Sequence, residues 1–317
     1  MSYINTVLGP IHPNELGVTM DHDHIIWGPP GWEYDPDWWF NYPKVFAKCL
    51  ADFIEYRQLG GKAMVDCSGI GFGRDIELYR MVSKYSGVHV IPCTGFWTGL
   101  GMSGYFLDKD IDYMEELFVQ ELTRGIGKTG VKAGIIKVGN SQTMFTDWEE
   151  RQYRAAARAA KRVGCAVITH GVQLAIKQLE IFQSEKLDLS RVIVSHCYHS
   201  IDFERDKKIA GMGAWVSYDA WGILDVSVPN YYARPDEVRA DILKALIEAG
   251  YIDHILIAAD TNVFSLGWQR SSPYSGKSTM ADVLRNAPRK LRRIGISEDI
   301  VWNKIMTENA RKALTIQ

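Results

Sequence analysis

With 317 residues, 46% of them hydrophobic and 23% charged, and a formal net charge of -2, the chain has the composition of an ordinary globular protein. It has no concentrated basic face to bind nucleic acid and no apolar stretch of the length a membrane span or a signal peptide needs, so a cytoplasmic protein with neither nucleic-acid nor membrane partner is expected. The five cysteines are odd in number and form no CxxC pair, which speaks against a disulfide framework.

Eight runs rich in β-branched and apolar residues follow one another along the chain: GVTMDHDHI, AMVDCS, HVIPCTGF, AGIIKVG, CAVITHG, RVIVSHC, AWVSYD and HILIAAD. Between them lie amphipathic segments such as KVFAKCLADFIEYRQLG, DIELYRMVSKYSG, EELFVQELTRGI, EERQYRAAARAAKRVG and DEVRADILKALIEAG, several closed by glycine, as helices often are. Strand alternating with helix is the pattern of parallel βα units. Eight such units predict a (β/α)8 TIM barrel, one domain over residues 1–317, with its chemistry at the C-terminal ends of the strands. The segments after the first and eighth strands, WGPPGWEYDPDWWFNYP and TNVFSLGWQRSSPYSGKST, are long enough to act as lids.

Six polar residues stand at those strand ends: His22 and His24, Lys137, His170, His196 and Asp260. Two apart on a strand, His22 and His24 project to one face, the barrel interior, while Asp21 and Asp23 are expected to point away. Lys137 to His170 is 33 positions, His170 to His196 is 26 and His196 to Asp260 is 64, about one, one and two βα units. Five strands thus deliver nitrogen and oxygen ligands to one ring, a set suited to two divalent metals, zinc first, with manganese, cobalt or iron as alternatives. A lysine aimed into a barrel would be an unfavourably desolvated ammonium. Its neutral amine can add carbon dioxide, and the resulting carbamate can bridge two metals. The alternatives are a Lys137–Asp260 ion pair without metal and hydrogen-bonded core histidines. In the metal reading Asp260 also accepts the proton of the bridging hydroxide.

On these residues the chain resembles the phosphotriesterase family of the amidohydrolase superfamily, which includes phosphotriesterase-like lactonases. The resemblance runs from LGPIHPNELGVTMDHDH through GIIKVG, ERQYRAAARAA with VITHG, and VSHC to MTENARKAL. It implies that His22, His24, Lys137, His170, His196 and Asp260 bind a binuclear centre with Lys137 as N6-carboxylysine, and that Asp260 and Lys137 are catalytic. Two departures stand out. His199 occupies the place where many members carry an aspartate, and YDAWG replaces the seventh-strand histidine of paraoxon-hydrolysing members.

Around the ring, Tyr198 and His199 are expected as donors to the ligands, a proton shuttle or substrate contacts. Asp219 is expected to orient a ligand, line the pocket or cap its strand. Trp27, Trp97, Trp221 and Trp268 fall after strands and would wall the pocket, as would Trp32, Trp38 and Trp39. Arg74, Arg234, Arg270 and Lys277 are read as surface charges or as holders of an anionic substrate group; His12, His89 and His254 are read as structural. Together these point to a binuclear metal-dependent hydrolase attacking a small hydrophobic carboxylic ester or lactone with a metal-bridging hydroxide. A phosphoester hydrolase is the first alternative, amide or carbamate cleavage the next, and a non-catalytic metal-binding barrel the last. The sequence leaves a homodimer open.

Overall fold

The chain enters through a hairpin, β1 (Ile4–Thr6) and β2 (Gly9–Ile11), paired antiparallel. In this computed structural model, which describes residues 2–34, 41–98, 104–141, 143–198, 201–221, 235–266 and 279–317, each of the eight apolar runs forms a strand. They are β3 (Thr19–Trp27), β4 (Ala63–Asp66), β5 (His89–Thr94), β6 (Ile135–Gly139), β7 (Ala166–His170), β8 (Val192–Val194), β9 (Trp215–Tyr218) and β10 (Ile255–Ile257). All pair in parallel and in chain order, and a further strand, β11 (Asn262–Ser265), pairs in parallel with β3.

β10 and β11 are the two halves of one eighth strand, separated at Ala258–Thr261. Bonds from both the break and the second half close the sheet on the first strand: Asp260 N donates to the His22 carbonyl at 3.0 Å, His24 N to Thr261 at 2.9 Å and Leu266 N to Trp27 at 2.7 Å. The fold is therefore the predicted (β/α)8 barrel, with one correction. The segment read as the eighth loop begins as strand, because closure needs backbone partners for β3 beyond Asp260.

The helices are α1 (Tyr42–Gln58), α2 (Ile76–Ser86), α3 (Gly104–Leu107), α4 (Ile111–Thr123), α5 (Asp147–Val163), α6 (Ala175–Ser184), α7 (Phe203–Gly211), α8 (Asp236–Glu248), α9 (Ala281–Arg293) and α10 (Ala310–Leu314), the last continuing a wide π-type helix over Ile300–Asn309. Of the predicted glycine stops, Gly87 and Gly164 end α2 and α5 in the left-handed conformation. Helix α5 starts on a capping box in which Thr146 and Glu149 satisfy each other's backbone amides. The C-terminal part of its buried face is alanine, Ala155, Ala156, Ala157, Ala159 and Ala160, which lets it lie close to the sheet. Among the described residues no helix is long and apolar enough to cross a membrane.

Apolar packing falls into two bodies. One lies between the sheet and the surrounding helices. The other fills the lower barrel interior, where Ala63, Val65, Ile91, Ile135, Ile168, Ile193 and Leu256 meet a plug of Ile4, Leu16, Ala310, Ala313 and Leu314. The upper interior is polar.

Candidate metal centre

The register between β3 and β4 shifts between Met20 and Asp23, and this bulge decides which side chains face inward. It brings His22 and His24 to the interior as expected but carries Asp21 there too. Asp21 is fully buried near Ser217, Asp219 and Lys137, which corrects the expectation that it points away. Asp23 does turn aside, its Oδ1 accepting from the backbone and hydroxyl of Thr261 at 3.1 and 2.9 Å.

Glycine sets the next strands. A Cβ on Gly95 (φ 96°) would stand 2.0 Å from the Lys137 carbonyl, and one on Gly139 would stand 1.8 Å from that of Trp97. Only glycine at both places lets the segment after β5 lie against β6, bringing Trp97 beside the strand that carries Lys137. His170 ends β7, and its carbonyl is fixed by Tyr153 at 3.2 Å and Gln178 at 3.0 Å, both of which also bond Asn140. Sequence reading gave none of these three a role. For Tyr153 and Gln178 the only signal was a polar residue on the buried face of α5 or α6, and for Asn140 a polar residue directly after β6.

The six predicted residues converge. His22 Nε2 and His24 Nε2 lie 3.6 and 3.5 Å from Asp260 Oδ1, and His196 Nδ1 lies 3.6 Å from Asp260 Oδ2. The Lys137 Nζ is 3.2 Å from His22 Nε2 and donates to the Thr169 carbonyl at 3.3 Å. The His170 and His196 rings meet edge to face at 4.4 Å. Among the described residues Asp260 is shared by three histidines rather than paired with Lys137, so the metal-free ion pair is not what the geometry forms.

The outward nitrogens are anchored. His24 Nδ1 meets the Ser68 hydroxyl at 3.0 Å, and Ser68 in turn donates to the Ile26 carbonyl. His22 Nδ1 meets Asp219 at 2.8 Å and Ser195 at 3.1 Å. Asp219 also receives the His196 amide at 3.2 Å and faces its Nδ1 at 3.1 Å. Of the three roles expected for Asp219, the geometry supports orienting, as carboxylates behind metal-binding histidines do. Tyr198 donates to Asp260 Oδ2 at 3.4 Å.

Charge states suit cation binding. Burial, reinforced by Lys137, holds His22 well below the usual histidine range, leaving it neutral. Burial alone would raise Asp260, but His196, His22 and a hydrogen bond from His24 outweigh it and keep the carboxyl far below the usual range. A neutral imidazole and an anionic carboxylate are the forms a divalent ion requires. Ligand atoms of His22, His24 and Asp260 lie within 4.8 Å of one another, as do those of His22, His196 and Asp219. Nitrogen and carboxylate oxygen without thiolate suit a borderline or hard cation.

Beside His170 stands an aromatic wall. Trp97 meets His170 at 5.1 Å, Phe72 at 5.3 Å and Trp27 at 6.3 Å between ring centres. Phe72 lies in the glycine-rich segment SGIGFGR and had escaped the sequence reading. Trp221 is fully buried, and Trp32 packs against the outer core. Arg74 is neither a surface charge nor a free anion holder: its guanidinium is buried, with bonds of 2.7 and 2.9 Å to Glu121 and 2.7 Å to the Cys93 carbonyl. His12 caps the turn at Pro13–Glu15 and His254 faces the Ala214 carbonyl. His199, Trp38, Trp39, Trp268, Arg234, Arg270 and Lys277 lie outside the described residues.

A parallel barrel with an imidazole and carboxylate ring at its C-terminal mouth is the framework of a metal-dependent hydrolase. The model of the phosphotriesterase family matches residues 2–314, and the chain belongs to that family. It is 31% identical to the phosphotriesterase homology protein of Mycobacterium tuberculosis over 82% of this chain and 81% of that protein. It is 28% identical to the N-acetyltaurine hydrolase of Danio rerio (99% and 98% covered) and 27% identical to the aryldialkylphosphatase of Saccharolobus solfataricus (95% and 96%). A solved structure from the molecular engineering of organophosphate hydrolysis from a weak promiscuous lactonase template superposes with a TM-score of 0.91 at 26% identity, covering 98% of this chain and 99% of that one. The chain is thus a hydrolase of that family.

Proposed function

We propose that this protein is a binuclear metal-dependent hydrolase of hydrophobic carboxylic esters or lactones. The observation that carries the reading is the convergence of His22, His24 and His196 on the anionic Asp260, with Lys137 against His22 and His170 against His196. His22, His24 and Asp260 would hold one divalent ion and His170 and His196 the other, zinc in the first instance, with Lys137 as the N6-carboxylated ligand shared between them. Such ions acidify water and polarise a carbonyl.

The protein's own groups do the rest. Asp260, held anionic, is positioned to take a proton, and Tyr198 steadies its second oxygen. Asp219 and Ser68 fix the imidazole tautomers. Trp27, Phe72 and Trp97 present an apolar wall that excludes water and favours a hydrophobic acyl chain. A phosphoester reading draws on the name of the Saccharolobus relative, and an N-acyl reading on that of the Danio relative. The aromatic wall and the absence of a seventh-strand histidine favour the carbonyl ester.

The test is kcat/KM across a lactone chain-length series, an aryl ester, a phosphotriester and an N-acyl amine. Values are expected to rise with apolar bulk, by up to about fourfold per methylene, with the phosphotriester poor. A flat series, or a phosphotriester or N-acyl amine preferred over every ester, overturns the substrate assignment.

A further inference from the structure

Helix α8 carries a fully buried arginine that sequence reading passed over. The Arg239 Nη1 bonds Asp236 Oδ1 at 2.8 Å, and Asp236 Oδ2 is in turn held at 3.0 Å by Lys290 of α9. The guanidinium lies over the ring of Tyr198, 4.9 Å from its centre, while among the described residues Nε and Nη2 have no hydrogen-bond partner. A guanidinium buried with part of its donor set unmet is costly. The face of a tyrosine is the partner that compensates such a charge without a hydrogen bond. The phenol of that same tyrosine reaches Asp260 Oδ2 at 3.4 Å.

We propose that Arg239 is a positioning residue for Asp260, acting through Tyr198. Lys290 and Asp236 hold the guanidinium, the guanidinium holds the ring, and the ring aims its hydroxyl at the carboxylate. In this role Arg239 acts only through Tyr198. The inference rests on Asp260 serving as proton acceptor.

The experiment compares the metal-loaded enzyme with Arg239→Met, Arg239→Lys, Tyr198→Phe and the Arg239→Met/Tyr198→Phe double variant, on the best substrate of the panel. Arg239→Met is expected to lower kcat by about 10-fold, with KM changed by less than about twofold. Arg239→Lys, which keeps a cation over the ring, should recover most of the loss. In the Tyr198→Phe background, where no hydroxyl remains to aim, the Met substitution should have little further effect. The visible spectrum of the cobalt-loaded protein supplies a second readout: it should shift alike in Arg239→Met and Tyr198→Phe and no further in the double variant. Equal losses from Arg239→Met in both backgrounds, or a Lys variant as impaired as the Met variant, overturn the proposal. If the Met variant fails to fold, the same cycle is read with Arg239→Lys, where a small loss confined to the Tyr198 background supports the proposal and an equal loss in both overturns it. If no substrate is turned over, the functional reading fails and the cobalt spectra alone decide Arg239.

Discussion

The lower and upper halves of the barrel interior are built from the same strands to opposite ends. Below, Ala63, Ile91, Ile135, Ala166, Ile193 and Leu256 meet the apolar plug from the two chain ends, and burial is the whole of their contribution. Above, roughly one turn of the pleat or two further along the same strands, stand Lys137, His170, His196 and Asp260, and β3 adds His22. Backbone conformation divides in the same way. Among the described residues four non-glycine positions have positive φ, and three of them, His196 (60°), Ala220 (66°) and Asp260 (48°), are at the mouth. Such conformations cost of the order of 1–3 kcal/mol each and persist where the surroundings impose them. The floor thus supplies the stability that a strained, polar mouth consumes.

The largest expected effect comes from the mouth. Asp260→Asn removes the proposed proton acceptor and weakens a proposed ligand, so kcat should fall by at least about 100-fold while the melting temperature changes little. Steady-state kinetics beside thermal denaturation would show this, and unimpaired turnover would erase the distinction between the two halves. The floor should behave in reverse. Ile193→Ala, fully buried in the lower interior, should cost about 2–4 kcal/mol in denaturant unfolding, with kcat per folded molecule unchanged. A loss of turnover without a loss of stability would mean that the halves are not separable. The smallest effect sharpens the picture at the mouth's edge. Trp97→Ala opens the wall beside His170 and should flatten the lactone chain-length dependence by a few-fold, with kcat on the shortest lactone retained.

All eight barrel strands could be read from sequence because each is a compact apolar run, and the six convergent residues because each falls in the second half of such a run, although the structure places His22, His24 and Lys137 within their strands rather than at the ends. The hairpin β1–β2 could not, since INT and GPI are too short to show a period. Nor could the inward turn of Asp21: a bulge is a matter of register between strands, and alternation counted along a single strand assigns Asp21 to the wrong face. Phe72 sits in a run of glycines that predicts only a turn. Arg239 looks like a solvated charge on an amphipathic helix, and its burial follows from the packing of α8 against α9, which brings Lys290 to Asp236. Asp219 was legible as a polar strand end, but its choice between roles depended on where two imidazoles from other strands came to lie.

On the proposed function the mouth holds two divalent ions through a carboxylated lysine. This is tested most directly by a high-resolution crystal structure of the purified protein together with metal analysis of the same sample. Close to two divalent ions per chain are expected, with density extending Lys137 Nζ into a carboxylate between them, and activity lost on chelation and restored by metal with bicarbonate. An unmodified Lys137 ammonium beside two fully occupied metals, or full activity in metal-free protein, would contradict it.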